Sequence, residues 1–299
     1  MAAYPNLKQL SGERVNLVEN AAPRIGAVVL GRRALCGILW RDDLMVTAAE
    51  AIGGAERVDV RFERYEESAE VVAVDLGTDV AVLRVPAVTG LTLAGAPPAA
   101  LRVGEAVALV GREVRGPIAN WGSVRLAGPA WTSRRGGAIA QRLEIDVRFN
   151  AALEGAAVVD MEGTVAAMAV PGPFRRVLGI PAETIEKVVT SVEKHGRLPQ
   201  PYIGVRLQPL WLDESTRAQL GRTGRRIAAV SGVDAGSPAA DAHIELGDLL
   251  LTVDGVPAEN AGLAHRIASL TPGQAIELAV LRGGKPLVLN VRVGERPHH

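Results

Sequence analysis

The sequence of 299 residues has few aromatic residues, one cysteine and no long uncharged apolar run. Phe, Trp and Tyr make up 3% of the chain, so its 48% hydrophobic residues must form a mainly aliphatic core. The single cysteine, Cys36, excludes an intramolecular disulfide, and its apolar neighbours favour a buried structural thiol. No apolar stretch reaches the length of about 18 residues needed to span a membrane, so no membrane span is predicted.

An excess of charge of either sign is also missing. Lys and Arg together number 33, Asp and Glu together number 33, and no long block of one sign occurs. Because nucleic-acid binding usually requires a basic face, no nucleic-acid partner is predicted. Residues 1–10 lack a basic segment followed by an apolar one, so they are not a signal peptide. The chain is therefore expected to be soluble, and a periplasmic location would require a signal or anchor removed beforehand.

Histidine is absent from residues 1–194, because the five histidines all follow that range. A serine-protease triad requires a base, usually an imidazole, that takes the proton of the nucleophile and later returns it. Residues 1–194 therefore contain no imidazole that could act as this base.

Short stretches with strand periodicity recur along the first two thirds of the chain at a spacing of about ten residues, which is typical of barrels and sandwiches. In one of them Val58, Val60 and Phe62 alternate with Asp59 and Arg61. Such alternation predicts strands with one buried face.

Two further patterns divide the chain. Residues 181–194 have helical spacing, with Pro181 suited to the first turn and Gly196 to the end. Pro199 and Pro201 then form a short stiff break, which we interpret as the domain boundary.

The last third resembles a PDZ domain of the HtrA type. Three segments carry the resemblance: Tyr202-Ile203-Gly204-Val205, Gly236-Ser237-Pro238-Ala239-Ala240 and Leu246 to Gly255. Asp254-Gly255 suits a tight hairpin turn. The resemblance implies that Tyr202, Ile203, Gly204 and Val205 bind the C-terminal carboxylate of a peptide, and that the adjoining strand edge pairs with it. Leu263 and Ile267, four residues apart, would line the pocket for an apolar C-terminal residue.

The first two thirds resemble the HtrA protease domain. Val103 to Gly111, Gly122-Ser123-Val124 and Leu178 to Ala182 match family segments in the same order. The implied fold is mainly β: a chymotrypsin-like double antiparallel β-barrel followed by a PDZ domain. We expect an N-terminal arm over 1–24, the barrel domain over 25–196 and the PDZ domain over 201–295.

The same resemblance locates the triad positions. The family's His position holds Glu50, its acid position keeps Asp79, and its Ser position holds Glu154. Ala152 replaces a glycine of the loop that forms the oxyanion hole. We therefore predict that the chain is not an enzyme and acts as a peptide-binding scaffold or regulator, without cofactor or metal. The alternative is a hydrolase or metal-binding protein that uses Glu50, Asp79 and Glu154 together.

The expected partners follow from this reading. They are C-terminal or unfolded peptide segments bound by the PDZ domain, and an active HtrA relative with which the chain could assemble. Apolar residues of the arm, such as Leu7, Leu10 and Val15, favour a homo-oligomer, with a trimer as one form. Membership of the family favours the periplasm, and the chain without a leader favours the cytoplasm.

Overall fold

The computed structural model describes residues 5–63, 65–86, 100–196, 198, 201–219, 225–258, 270 and 272–295. The chain divides into two compact units: residues 1–133 together with 138–198, and residues 199–299 together with 134–137. None of the helices in the described ranges is long and apolar enough to cross a membrane.

The first unit begins with a helix and a closed six-stranded barrel. The helix is α1 (Pro5–Ala21), in the segment that the sequence suggests only as an arm. The barrel strands are β1 (Ile25–Leu30), β2 (Arg33–Leu39), β3 (Leu44–Ala48), β4 (Arg57–Arg61), β5 (Glu66–Asp75) and β6 (Val80–Arg84). They are ordered β1-β2-β3-β6-β5-β4, and β4 pairs with β1 to close the barrel. The short helix α2 (Ala49–Ile52) follows β3.

A second closed barrel completes this unit. Its strands are β7 (Ala106–Glu113), β8 (Gly116–Ala127), β11 (Leu143–Arg148), β12 (Ala157–Val159), β13 (Val165–Pro171) and β14 (Arg176–Pro181), ordered β11-β14-β13-β12-β7-β8. A small hairpin of β9 (Trp131–Thr132) and β10 (Ala138–Ile139) lies between β8 and β11. The cores are aliphatic, as the scarcity of aromatic residues predicts.

The helix α3 (Ala182–His195) follows the second barrel and is the one predicted over 181–194. Pro181 precedes its first turn, and Gly196 ends it with a left-handed backbone at φ 69°. Its apolar face is buried through Ile185, Val188 and Val189.

The second unit contains a twisted antiparallel sheet. Its elements are β15 (Pro201–Tyr202), β16 (Val205–Trp211), α4 (Glu214–Gln219), β17 (Arg226–Val233), α5 (Pro238–Asp241), β18 (Leu249–Val253), β19 (Val256–Pro257), β20 (Ala275–Arg282), β21 (Lys285–Arg292) and β22 (Gly294–Glu295). The main sheet runs β16-β17-β18-β20-β21, so β16 is an edge strand among the described residues. The predicted fold class, two antiparallel barrels followed by a PDZ domain, is confirmed.

A close backbone contact joins the two barrels at Cys36. The Cys36 N–H donates to the carbonyl of Glu154 at 2.7 Å, and Thr47 Oγ1 donates to the Cys36 carbonyl at 2.7 Å. Gly155 has φ +80°, and a Cβ there would lie 2.0 Å from the Cys36 oxygen. Position 155 must therefore be glycine both for its backbone conformation and for the space beside it.

This contact gives the first prediction. Gly155→Ala is expected to lower the free energy of unfolding by about 4 kcal/mol or more, because the methyl group must displace a buried backbone. Gly163→Ala is the matched control, since Gly163 has a similar φ of +85° but nothing within 4 Å of its Cβ position. The control should lose only about 1–2 kcal/mol for the left-handed backbone. Urea titrations followed by circular dichroism measure both, and equal losses would contradict the steric argument.

Candidate functional site

The structure joins two of the three predicted acids through a hydrogen bond, and the third acts on them through its charge. Glu50 lies in the first turn of α2, Asp79 lies in the turn before β6, and Glu154 follows a 3₁₀ turn over Ala151–Leu153. The Glu50 N–H donates to Asp79 Oδ1 at 2.8 Å. The charges of Glu50 and Glu154 both act on Asp79. The first barrel thus supplies two of the acids and the second barrel supplies the third.

Asp79 has a left-handed backbone and a raised side-chain pKa. Its backbone is left-handed at φ 59°, a conformation that Asp and Asn tolerate better than most residues. Burial raises the pKa of Asp79 to about 6; the hydrogen bond from the Glu50 N–H opposes this, and the charges of Glu50 and Glu154 add to it. Asp79 therefore changes charge close to neutral pH.

Glu154 is the most enclosed of the three, with 6% of its surface exposed. Burial raises its pKa above the usual range, the charge of Arg33 acts in the opposite direction, and the charge of Glu50 raises it further. Arg33 Nη2 lies 3.6 Å from Glu154 Oε2. Arg33, which the sequence reasoning missed, is therefore the compensating cation.

Two other arginines of this unit, Arg112 and Arg148, have different surroundings. Arg112 is buried and donates from Nε to the carbonyl of Ile25 at 2.7 Å and from Nη2 to that of Ala22 at 3.3 Å. Arg148 is an exposed residue at the end of β11. Arg33 could not be singled out from the sequence because only the contact between β2 and the loop of the second barrel brings it close to Glu154.

In the loop around Ala152, two backbone N–H groups donate to acceptors of the same loop. The Ala152 N–H donates to Asn150 Oδ1 at 3.2 Å, and the Glu154 N–H donates to the carbonyl of Ala151 at 3.2 Å. An oxyanion hole requires such N–H groups to point at the substrate. In this conformation both have partners within the loop, and Asn150 is a contributor that the sequence reasoning did not single out.

A nucleophilic thiol and a bound metal ion are two other ways in which such a site could work. Burial raises the pKa of Cys36 to about 12, against a hydrogen bond from the Arg112 backbone, so the thiol is structural and not nucleophilic. Among the described residues, no group of three or more His, Cys, Asp or Glu side chains is placed to hold a metal ion.

The predicted peptide-binding residues Tyr202 to Val205 form the turn from β15 into β16. Gly204 has φ +80°, and a Cβ there would lie 2.2 Å from Ser237 Cβ, so the turn requires glycine. The carbonyls of Ile203 and Gly204 accept hydrogen bonds from the N–H groups of Ala239 and Asp234. Within the described part of the chain, the N–H groups of Ile203 and Gly204 donate to no acceptor.

A side-chain network supports this turn. Tyr202 Oη donates to Asp234 Oδ2 at 2.7 Å, and Arg206 Nη1 donates to Asp234 Oδ1 at 2.5 Å. Sequence reasoning missed Asp234 and Arg206 because they meet only through pairing of β16 with β17. Leu263 and Ile267, predicted to line the pocket, lie outside the described residues.

Comparison with protein families agrees with this architecture. Residues 36–168 match the trypsin-like peptidase domain, and residues 201–293 match the PDZ domain. The chain is therefore a trypsin-like peptidase domain followed by a PDZ domain.

Relatives make the assignment more specific. A probable periplasmic serine endoprotease, DegP-like, of Rhizobium meliloti is 31% identical over 273 residues, which cover 87% of this chain and 52% of the relative. The protein of the same description from Brucella suis is 28% identical over 276 residues, with 87% and 52% covered. This chain spans about half the length of these relatives. Its trypsin-like peptidase domain and PDZ domain make it similar to the HtrA-type, DegP-like proteases, as its sequence motifs predict.

Solved structures agree on the fold. The HtrA-type protease AlgW with a decapeptide has a TM-score of 0.67 at 21% identity, covering 95% of this chain and 99% of AlgW. The serine endoprotease from Yersinia pestis has a TM-score of 0.66 at 23% identity, with 95% and 98% covered.

The prediction that the chain is not an enzyme is contradicted by these relatives, which are named serine endoproteases. It was drawn from Glu50 and Glu154 at the family's His and Ser positions, from Ala152 and from the absence of histidine in residues 1–194, whereas the likeness to the relatives extends over most of the chain. The family assignment therefore points to an enzyme, and the identity of those side chains bears on how such an enzyme would work.

The raised pKa of Asp79 gives the second prediction. The folded protein binds this proton more tightly than the unfolded chain, so wild-type stability should fall as pH rises from about 4 to 6 and stay lower above that. Asp79→Asn keeps an acceptor for the Glu50 N–H, suits the left-handed backbone and removes the charge. Relative to this variant, the wild type should lose about 2–3 kcal/mol of unfolding free energy between pH 4 and 7.

The measurement is a series of urea titrations across this pH range. Asp59→Asn, which removes an exposed carboxylate on β4, reports the general effect of losing one acid. A difference between wild type and Asp79→Asn that does not change with pH would contradict the assignment.

Proposed function

We propose that this HtrA-family chain binds the C-termini of peptides through its PDZ domain. The observation that carries the proposal is the turn at Ile203 and Gly204, whose N–H groups have no acceptor among the described residues. Adjacent N–H groups of this kind suit a carboxylate. The edge strand β16 begins directly after the turn, so a carboxylate bound there would place the preceding residues of the peptide beside a free strand edge.

The solved relatives lend support. AlgW is described with a decapeptide and with a tripeptide, so a protein of the same fold takes up short peptides. The apolar lining expected from Leu263 and Ile267 remains part of the proposal, as does the PDZ domain boundary over 201–295.

A panel of fluorescent decapeptides, each ending in a different apolar residue, tests this function and gives the third prediction. The tightest member should bind in the micromolar range, about −8 kcal/mol. Its C-terminal amide should bind at least tenfold more weakly, because the amide lacks the charge that the N–H groups bind. A peptide with the same composition in scrambled order is the control. Equal affinity for acid and amide would show that the turn does not bind a carboxylate.

A second candidate function rests on Asp79, whose pKa of about 6 suits general acid–base chemistry. Glu50 and Glu154 would then act with it as a carboxylate hydrolase site, since positions 50, 79 and 154 carry neither hydroxyl nor imidazole. Any peptide cleavage would therefore proceed without the acyl-serine step of the trypsin-like mechanism.

The fourth prediction tests this candidate with unfolded casein. Cleavage at pH 6 should fall at least tenfold in Asp79→Asn and in Glu154→Gln, and should resist fluorophosphonates, which react with activated serines. Arg33→Gln is the comparison variant, because it changes the charge beside Glu154 and keeps all three acids. Cleavage blocked by a fluorophosphonate, or equal in all variants, would refute a carboxylate site.

Assembly and location belong to the same proposal. We infer a homo-oligomer in which several PDZ domains act together, because linked binding sites raise avidity. The exposed Leu7, Leu10 and Val15 of α1 are consistent with a contact to another chain, a second copy or an active relative. Relatives named as periplasmic favour that compartment.

A further inference from the structure

The turn between β13 and β14 exposes an aromatic side chain that the fold does not use. Phe174 has 90% of its surface exposed, and the exposed Pro171 and Pro173 lie beside it in the chain. Large aromatic residues usually lie in a core or at an interface, and this chain has few of them. Packing within the described part of the chain therefore does not explain a phenylalanine at position 174.

The backbone of this turn does not favour phenylalanine either. Phe174 has φ 56° and Arg175 has φ 60°, in the left-handed region where glycine, asparagine and aspartate are usual. This conformation costs free energy for other residues, which are found in it mainly where the surrounding structure and a function require them. The side chain at position 174 thus contributes neither packing nor a preferred turn conformation, which indicates a role outside the fold.

Hydrogen bonds hold the turn in this conformation. The Gly172 N–H donates to the carbonyl of Arg176 at 2.9 Å and closes the hairpin. The Phe149 N–H donates to the carbonyl of Arg175 at 2.7 Å and ties the turn to the end of β11. A Cβ at residue 172 would lie 2.9 Å from the Arg176 oxygen, so the hairpin requires glycine there. Phe174 is therefore presented at a fixed place on the second barrel.

Three arginines lie at the base of the turn. Arg175 is exposed in the turn itself, and Arg176 at the start of β14 is paired in register with the exposed Arg148 at the end of β11. Over the described ranges, no salt bridge joins these arginines to an acid. Asp146, also exposed, is the acid next to them along β11. The turn thus has an apolar tip and a base with more cations than anions.

We propose that this turn docks on an anionic lipid surface, with Phe174 inserted between the headgroups and the arginines on the lipid phosphates. Aromatic side chains favour the membrane interface, and anionic headgroups attract basic residues. The tip protrudes and carries one large apolar side chain, so a protein partner would need a matching pocket with an acidic rim. An anionic bilayer offers an apolar interior below negative headgroups at every point of its surface.

Docking in this way brings the candidate site to the membrane. Phe149, whose N–H is bonded to the turn, directly precedes the loop from Asn150 to Glu154. The carboxylates are then held close to the lipid surface, where they meet polypeptides that are themselves bound to the membrane. This inference does not depend on peptide binding by the PDZ domain.

The fifth prediction concerns co-sedimentation of the full chain with unilamellar vesicles at low salt. Wild type should bind vesicles with equal parts of phosphatidylglycerol and phosphatidylcholine at least tenfold more tightly than vesicles of phosphatidylcholine alone. Phe174→Asn suits the left-handed backbone and should weaken this binding about tenfold. Arg175→Gln should weaken it about fivefold, and Arg175→Lys, which keeps the charge, should bind as wild type does.

A second turn supplies the matched controls. Val114 and Arg115 lie together between β7 and β8, and Val114 has 51% of its surface exposed, but the exposed acid Glu113 precedes them. Val114→Asn and Arg115→Gln should each leave vesicle binding within about twofold of wild type. Circular dichroism verifies that every variant is folded.

Insertion is measured with Phe174→Trp. The added fluorescence, relative to the four tryptophans of wild type, should be quenched by brominated lipids in anionic vesicles. No binding of wild type to anionic vesicles, binding that Phe174→Asn does not weaken, or fluorescence that brominated lipids leave unquenched would each overturn the proposal. An equal loss in Val114→Asn would do the same, because the effect would not be specific to the turn. Tighter binding to poly-glutamate than to the vesicles, weakened by Phe174→Asn, would assign the turn to an acidic polypeptide instead.

Discussion

The backbone contact between Cys36 and residues 154–155 holds the candidate active site together. The Cys36 N–H binds the Glu154 carbonyl, and the Cys36 carbonyl leaves no room for a side chain at Gly155. This contact joins strand β2 of one barrel to a loop of the other. The position of Glu154 therefore depends on a neighbouring place where only glycine fits.

Electrostatics then set the character of the site. Asp79 and Glu154 lie where water is partly excluded, and Arg33 lies 3.6 Å from Glu154. The pKa values of Asp79 and Glu154 rise in consequence. The family is one of serine endoproteases, yet residue 154 carries a carboxylate and the neighbouring N–H groups of Ala152 and Glu154 are bonded within their loop.

The PDZ domain depends on backbone groups more than on side chains. The turn at Ile203 and Gly204 and the outward residues of β16 present N–H donors whose directions follow from strand pairing alone. The proposed peptide binding therefore rests on backbone geometry.

The sequence by itself determined the fold class and helix α3 with its ends at Pro181 and Gly196, because periodicity, caps and ordered motifs are local properties of the chain. It predicted the approach of Glu50, Asp79 and Glu154 only through the family resemblance. The position of Arg33 beside Glu154 and the hydrogen bond of the Ala152 N–H within its own loop were decided by the tertiary structure. Each depends on strand pairing or on contact between barrels, and such long-range geometry brings together residues whose spacing along the chain carries no sign of it.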